Sequence, residues 1–164
     1  MDRHEAYIIA GSNIDPREQY LQQSLYYIEH SGIEICDMSS IYISEPWGFE
    51  ADLDFYNQAI KIITELSPEN LLKKLLDIET KIGRKRNHSK TYSSRIIDLD
   101  ILFYDDIVIN KPELIVPHPK IQERKFVLKP LNDIAANLIH PIINQTINEM
   151  LANCQDKGKV YAKP

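Results

Sequence analysis

A chain of 164 residues, 43% hydrophobic and 26% charged, fits a single globular domain over 1–164 and excludes a fibrous or disordered class. Its net charge of −5 disfavours a general nucleic-acid binder, because phosphate backbones demand a basic face. No apolar run approaches the ~18 residues that cross a bilayer, the stretch 6–10 is too short for a signal-peptide core, and Cys36 and Cys154 form neither a metal pair nor a disulfide framework. No membrane partner is expected, and a reduced, cytoplasmic setting is.

In chain order, 6–10 reads as a buried strand ended by Gly11-Ser12-Asn13. A helix comes next, with Asp15 as N-cap, Pro16 at its first position and Glu18 completing a box-like Asp-x-x-Glu. Leu21, Leu25 and Ile28 give it one apolar face. Strands are expected at 33–42 and 59–64, with Pro46-Trp47-Gly48 in the connection between them. Ser67-Pro68-Glu69 opens a second helix that buries Leu71, Leu72, Leu75, Ile78 and Ile82. A β-branched strand covers 95–103, a turn falls at Asp105-Asp106, and 107–109 supplies a short partner strand. Prolines at 112, 117, 119 and 130 punctuate the C-terminal third, and a last helix is expected at 144–151. The order β-α-β-β-α-β is the ferredoxin-like arrangement, an α+β fold with helices packed on an antiparallel sheet.

Charge is concentrated in one place. Lys81, Arg84, Lys85, Arg86, Lys90 and Arg95, six of the 19 basic residues, fall within 81–95 together with His88 and no acid. Asp98 and Asp100 come next. On a strand, positions i and i+2 share a face, so the two carboxylates stand side by side while Ile97, Leu99 and Ile101 turn to the apolar side. Such a pair suits Mg²⁺, a hard cation that completes its shell with water and substrate phosphates; it equally suits an exposed strand face whose acids meet Lys and Arg. A carboxylate pair beside several arginines matches the needs of phosphoryl-type transfer, where cations neutralise phosphate oxygens. The five glycines are scattered, so neither a P-loop nor a dinucleotide fingerprint occurs.

Several segments, taken together, resemble the 6-hydroxymethyl-7,8-dihydropterin pyrophosphokinase family of the folate pathway. They are Gly11-Ser12-Asn13, Ser39-Ser40-Ile41-Tyr42, Pro46-Trp47-Gly48, Phe55-Tyr56-Asn57-Gln58-Ala59, and Glu79 with Gly83-Arg84. Ser94-Arg95-Ile96-Ile97-Asp98-Leu99-Asp100, Val116-Pro117-His118-Pro119 and Arg124-x-Phe126-Val127-Leu128-x-Pro130 complete the series.

The resemblance implies transfer of pyrophosphate from ATP to the hydroxymethyl oxygen of the reduced pterin, releasing AMP. It implies that Asp98 and Asp100 ligate two Mg²⁺ ions and that Arg84 and Arg95 clamp phosphate. Arg86, Glu79, Ile101, His118 and Arg124 would also meet the nucleotide. Phe55 and Phe126 would sandwich the pterin, Asn57 would read its edge, and Ser44 and Trp47 would add main-chain contacts. The partners so implied are small molecules, and the chain is expected to act as a monomer. Three features depart from the family pattern: Ser93-Ser94 replaces a Gly-Pro, one extra residue separates Arg84 from Arg95, with Tyr92 a candidate loop aromatic, and Leu76 occupies a helix position where relatives can carry a polar residue. The basic stretch itself is expected to close as a lid over the triphosphate. The rival readings are a palm-type Mg²⁺-dependent nucleotidyl transferase and a catalytically silent ligand-binding domain.

Overall fold

The computed structural model describes residues 2–84 and 94–164. The opening apolar run forms β1 (His4–Ser12), followed by α1 (Arg17–Glu29), β2 (Glu34–Met38), β3 (Tyr42–Ser44), β4 (Phe55–Thr64) and α2 (Pro68–Ile82). Then come β5 (Asp98–Tyr104), β6 (Ile109–Lys111), β7 (Leu114–Val116), a 3₁₀ turn (Ile121–Glu123), α3 (Lys125–Ala135), α4 (Ile147–Ala152) and β8 (Val160–Ala162).

The main sheet runs β5-β1-β4-β3-β8, with β2 also paired to β4, and its pairings are antiparallel. This is the expected ferredoxin-like order with a terminal strand added. Alternation along β1 sends Ala6, Ile8 and Ala10 to one core, where Leu21, Ile28, Leu71, Leu75 and Ile78 of α1 and α2 cover the sheet. Tyr7 and Ile9 face the other core, closed by Val127, Leu128 and Leu131 of α3 and Ile147 and Met150 of α4. Between Tyr7 and Ile8 the β1–β5 register shifts by one residue. That bulge lets Leu102 and Phe103 both reach the second core.

Ser67 caps α2 as expected, its side chain accepting the Asn70 N–H at 3.2 Å, and Gly83 ends the helix at φ 118°, a left-handed position that favours glycine. Four expectations are corrected. At α1 the N-cap is Pro16 in an extended conformation, without a side-chain cap bond, because Asp15 is engaged by Arg17 Nε at 2.9 Å. The strand expected at 33–42 divides into β2 and β3. The segment 107–109 gives β5 no partner; β6 pairs with β7 in a separate two-stranded ribbon. The proline-rich tail also contains a helix, α3, which runs through Pro130. An internal proline costs about 3 kcal/mol, and burial of Val127, Leu128 and Leu131 offsets it at about 1.5–3 kcal/mol per side chain.

Candidate active site

The cross-strand register places the chemistry-bearing side chains on one face. Gly11 of β1 lies opposite Asn57 on β4 and opposite Asp98 on β5, while Ile9 lies opposite Ala59 and Asp100. Directly opposed residues of an antiparallel pair share a face. Asn57, Asp98 and Asp100 therefore all project on the α3 side, into a cavity of about 580 Å³.

At the charged centre, Arg84 Nη1 donates to Asp98 Oδ1 and Arg95 Nη1 to Asp98 Oδ2, each at 3.0 Å. Removal from water alone would raise the Asp98 pKa, but the Arg95 and Arg84 guanidiniums outweigh it and hold this carboxyl below its ordinary value. Asp100 lies well above the ordinary value, because it is withdrawn from water and then faces the charges of Asp98 and Glu79. Glu79, 1% exposed, accepts Arg84 Nη1 at 2.8 Å on Oε1 and the Leu99 N–H at 2.7 Å on Oε2. Asn13 fixes the approach of Arg95: its Oδ1 accepts the Arg95 N–H at 2.8 Å, and its own N–H donates to the Arg95 carbonyl at 3.2 Å.

The donor set fits a hard divalent cation. Two carboxyl groups stand side by side and half-buried at the cavity wall, and a cation between them relieves the repulsion of their charged forms. Among the described residues no group of three or more His, Cys, Asp or Glu is placed to hold a metal. A metal on this pair would thus take its remaining ligands from water and substrate oxygens.

At one end of the cavity Asn57 Nδ2 donates to Ser44 Oγ at 2.7 Å, which orients the amide. Phe55 stands beside it, braced edge-on by Phe49 with ring centroids 6.1 Å apart. Across the opening, the Arg124 guanidinium lies 4.7 Å from the Trp47 ring centroid and 5.6 Å from that of Phe126, and Lys120 Nζ lies 5.2 Å from Trp47. His118 lines the same cavity; its N–H is held by the Leu102 carbonyl at 3.0 Å and its Nδ1 accepts the Lys120 N–H at 3.3 Å. Burial, then the Arg124 charge, lowers its pKa to about 4, so the ring stays neutral near pH 7 with Nε2–H as donor.

The cavity therefore gathers Ser44, Trp47, Phe55, Asn57, Glu79, Arg84, Arg95, Asp98, Asp100, His118, Arg124 and Phe126. Ile101 does not join them, since its side chain packs into the α1–α2 core. Arg86, Tyr92 and most of the segment expected to close as a lid lie outside the described residues. The sequence pattern gave no site role to Asn13 or Phe49 and placed Leu72 on the buried side of its helix, although Leu72 and Phe49 line the cavity and Asn13 positions Arg95. Only the Gly-Ser-Asn motif carried a signal for Asn13. Leu72 was hidden by its helical spacing, which reads as core.

The cleft thus sets paired carboxylates under two arginines on a sheet floor and gathers Trp47, Phe49, Phe55 and Phe126 along the same cavity. The comparisons give it a family. A family model described as 7,8-dihydro-6-hydroxymethylpterin-pyrophosphokinase matches residues 7–136, and the chain belongs to that family. A Bacillus subtilis 2-amino-4-hydroxy-6-hydroxymethyldihydropteridine pyrophosphokinase is 42% identical over 130 residues, 79% of this chain and 77% of that protein. A Pneumocystis carinii folic acid synthesis protein is 40% identical over 147 residues, 90% of this chain, which spans about a fifth (20%) of that longer relative. The solved wild-type Plasmodium falciparum HPPK-DHPS matches 93% of this chain and 45% of its own at 16% identity and a TM-score of 0.74, a likeness of fold.

Proposed function

We propose that this chain carries out the pyrophosphokinase step of folate biosynthesis, moving pyrophosphate from ATP to 6-hydroxymethyl-7,8-dihydropterin. The hydroxymethyl oxygen attacks the β-phosphorus, the bond from that phosphorus to the α–β bridging oxygen breaks, and AMP leaves. The hydroxyl proton is released to solvent. The observation that carries this reading is that one cavity holds both the Asp98/Asp100 pair under Arg84 and Arg95 and the aromatic–amide slot of Phe55, Asn57 and Phe126.

Each residue then has a physical task. Phe55 and Phe126 supply stacking area for a flat heterocycle, and Asn57, oriented by Ser44, reads its polar edge. Arg84 and Arg95, held by Glu79 and Asn13, are preorganised against charge that develops on the transferring oxygens. His118, with Nε2–H available, Arg124 and Arg86 meet the nucleotide, the buried Glu79 acts on it through Arg84, and Ile101 reaches it only through its backbone. Asp98 and Asp100 would hold two Mg²⁺ ions, which when bound neutralise phosphate charge and acidify the attacking hydroxyl. The same reading takes 1–164 as one pyrophosphokinase domain, acting as a cytoplasmic monomer on small molecules. In its support, no helix among the described residues is long and apolar enough to cross a membrane. The test is AMP formation from ATP with and without the pterin alcohol, in the presence and absence of Mg²⁺.

A further inference from the structure

Gly11 stands between groups that serve opposite parts of the cleft. It is the register partner of Asn57 on one side and of Asp98 on the other. Strands lie about 4.8 Å apart, so the Asn57 and Asp98 backbones are roughly 10 Å from each other across a strip of bare main chain. A Cβ at Gly11 would sit on the cavity side, 3.1 Å from Asn57 Oδ1 and 3.7 Å from Phe55 Cδ1.

The backbone itself does not call for glycine here. Gly11 lies inside two regular ladders, whereas the positive-φ glycines are Gly32, Gly48 and Gly83. Glycine in a strand interior weakens the strand, and it marks a bulge or a close approach by backbone or ligand. The β1 bulge lies at Tyr7/Ile8, and the atoms nearest the missing Cβ are the amide and ring of the proposed substrate slot. Two groups can need that space, the Asn57 amide and a ligand on the cavity side, and the Asn57→Ala background separates them.

We propose that Gly11 is the floor on which the substrate lies as it spans from the Asn57 amide to the aspartate pair, so that the missing side chain sets the clearance for a flat two-ring heterocycle with a one-carbon alcohol arm. The proposal rests on the pterin reading above. With a methyl group at position 11, the arm is lifted away from Asp98 and Asp100 and the Asn57 amide is displaced.

The test is Gly11→Ala, alone and combined with Asn57→Ala. Because the φ of Gly11 is ordinary, the gain in chain stiffness offsets the crowding of the Asn57 amide, and the variant should melt within about 4 °C of the parent. It should bind α,β-methylene-ATP within twofold of the parent and lose at least 30-fold in kcat/KM for the pterin alcohol. In the Asn57→Ala background Gly11→Ala should still cost at least tenfold, since the methyl meets the ligand itself. If that second loss vanishes, Gly11 only positions Asn57 and the floor assignment fails. A melting temperature lowered by more than about 8 °C in both backgrounds, or equal damage to nucleotide binding, would make Gly11 a packing residue and also overturn it. A parent without pterin-dependent turnover overturns the substrate reading and the floor with it, whereas a parental rate unmoved by Gly11→Ala overturns the floor alone.

Discussion

Glu79 Oε2 accepts the backbone N–H of Leu99 at 2.7 Å, which ties α2 to the strand residue lying between the two aspartates. The other oxygen holds Arg84, so one buried acid fixes both the strand and the guanidinium that meets Asp98. Glu79→Ala leaves the Leu99 N–H and the Arg84 contact without this acceptor, at a cost of about 2–4 kcal/mol in chemical denaturation. Glu79→Gln keeps a carbonyl oxygen for Leu99 and should recover about half of that loss.

The two aspartates should separate in stability although they act together in turnover. Asp98 is satisfied by Arg84 and Arg95, so Asp98→Ala should lower stability by about 1 kcal/mol. Asp100 is crowded by Asp98 and Glu79, so Asp100→Asn should raise the melting temperature of the metal-free protein. Both variants should lose Mg²⁺-dependent turnover by orders of magnitude. Thermal melts in chelator, beside steady-state rates in Mg²⁺, check the pair.

Ser44 acts through Asn57. With the 2.7 Å bond to its hydroxyl removed, the Asn57 amide is free to turn. Ser44→Ala should raise KM for the pterin alcohol about tenfold, the scale of one buried hydrogen bond, and leave KM for ATP within twofold. Steady-state titration of each substrate separates the two effects.

Much of this site was legible in the sequence because its logic is local. Asp-Leu-Asp on a β-branched strand fixes a shared face by pleat geometry alone, and Ser67-Pro68-Glu69 carries its own helix start. The relations between elements were not legible. That Asn57 and Asp98 meet across Gly11 depends on register, which tertiary packing sets. Pro130 reads as a breaker, yet α3 forms through it because core burial outweighs a missing donor. The short strands β7 and β8, three residues each, owe their pairing to neighbours in other elements. Glu79 illustrates both cases: its place in the family pattern marked it for the site, while its bond to Leu99 could be seen only in the fold.

His140 offers a pH test away from the cleft. It is 3% exposed, its Nδ1 accepts the N–H groups of Ile142 and Ile143, each at 3.1 Å, and burial lowers its pKa. The unfolded chain therefore takes up this proton first as pH falls below about 6.5, and stability drops until the folded-state pKa is reached. Above about pH 6.5 the contribution is fully present. His140→Asn cannot titrate, so the loss of unfolding free energy on acidification from about pH 7.5 to about pH 5.5 should be smaller in the variant than in the parent, as measured by urea denaturation at each pH.

The most direct test of the central claim is nucleotide product analysis with ATP labelled in its β-phosphate. The account predicts AMP in one-to-one yield with a pterin diphosphate that carries the label, dependent on both 6-hydroxymethyl-7,8-dihydropterin and Mg²⁺, and abolished in Asp98→Ala. Release of ADP, release of free pyrophosphate, or AMP formation at the same rate without the pterin would contradict it.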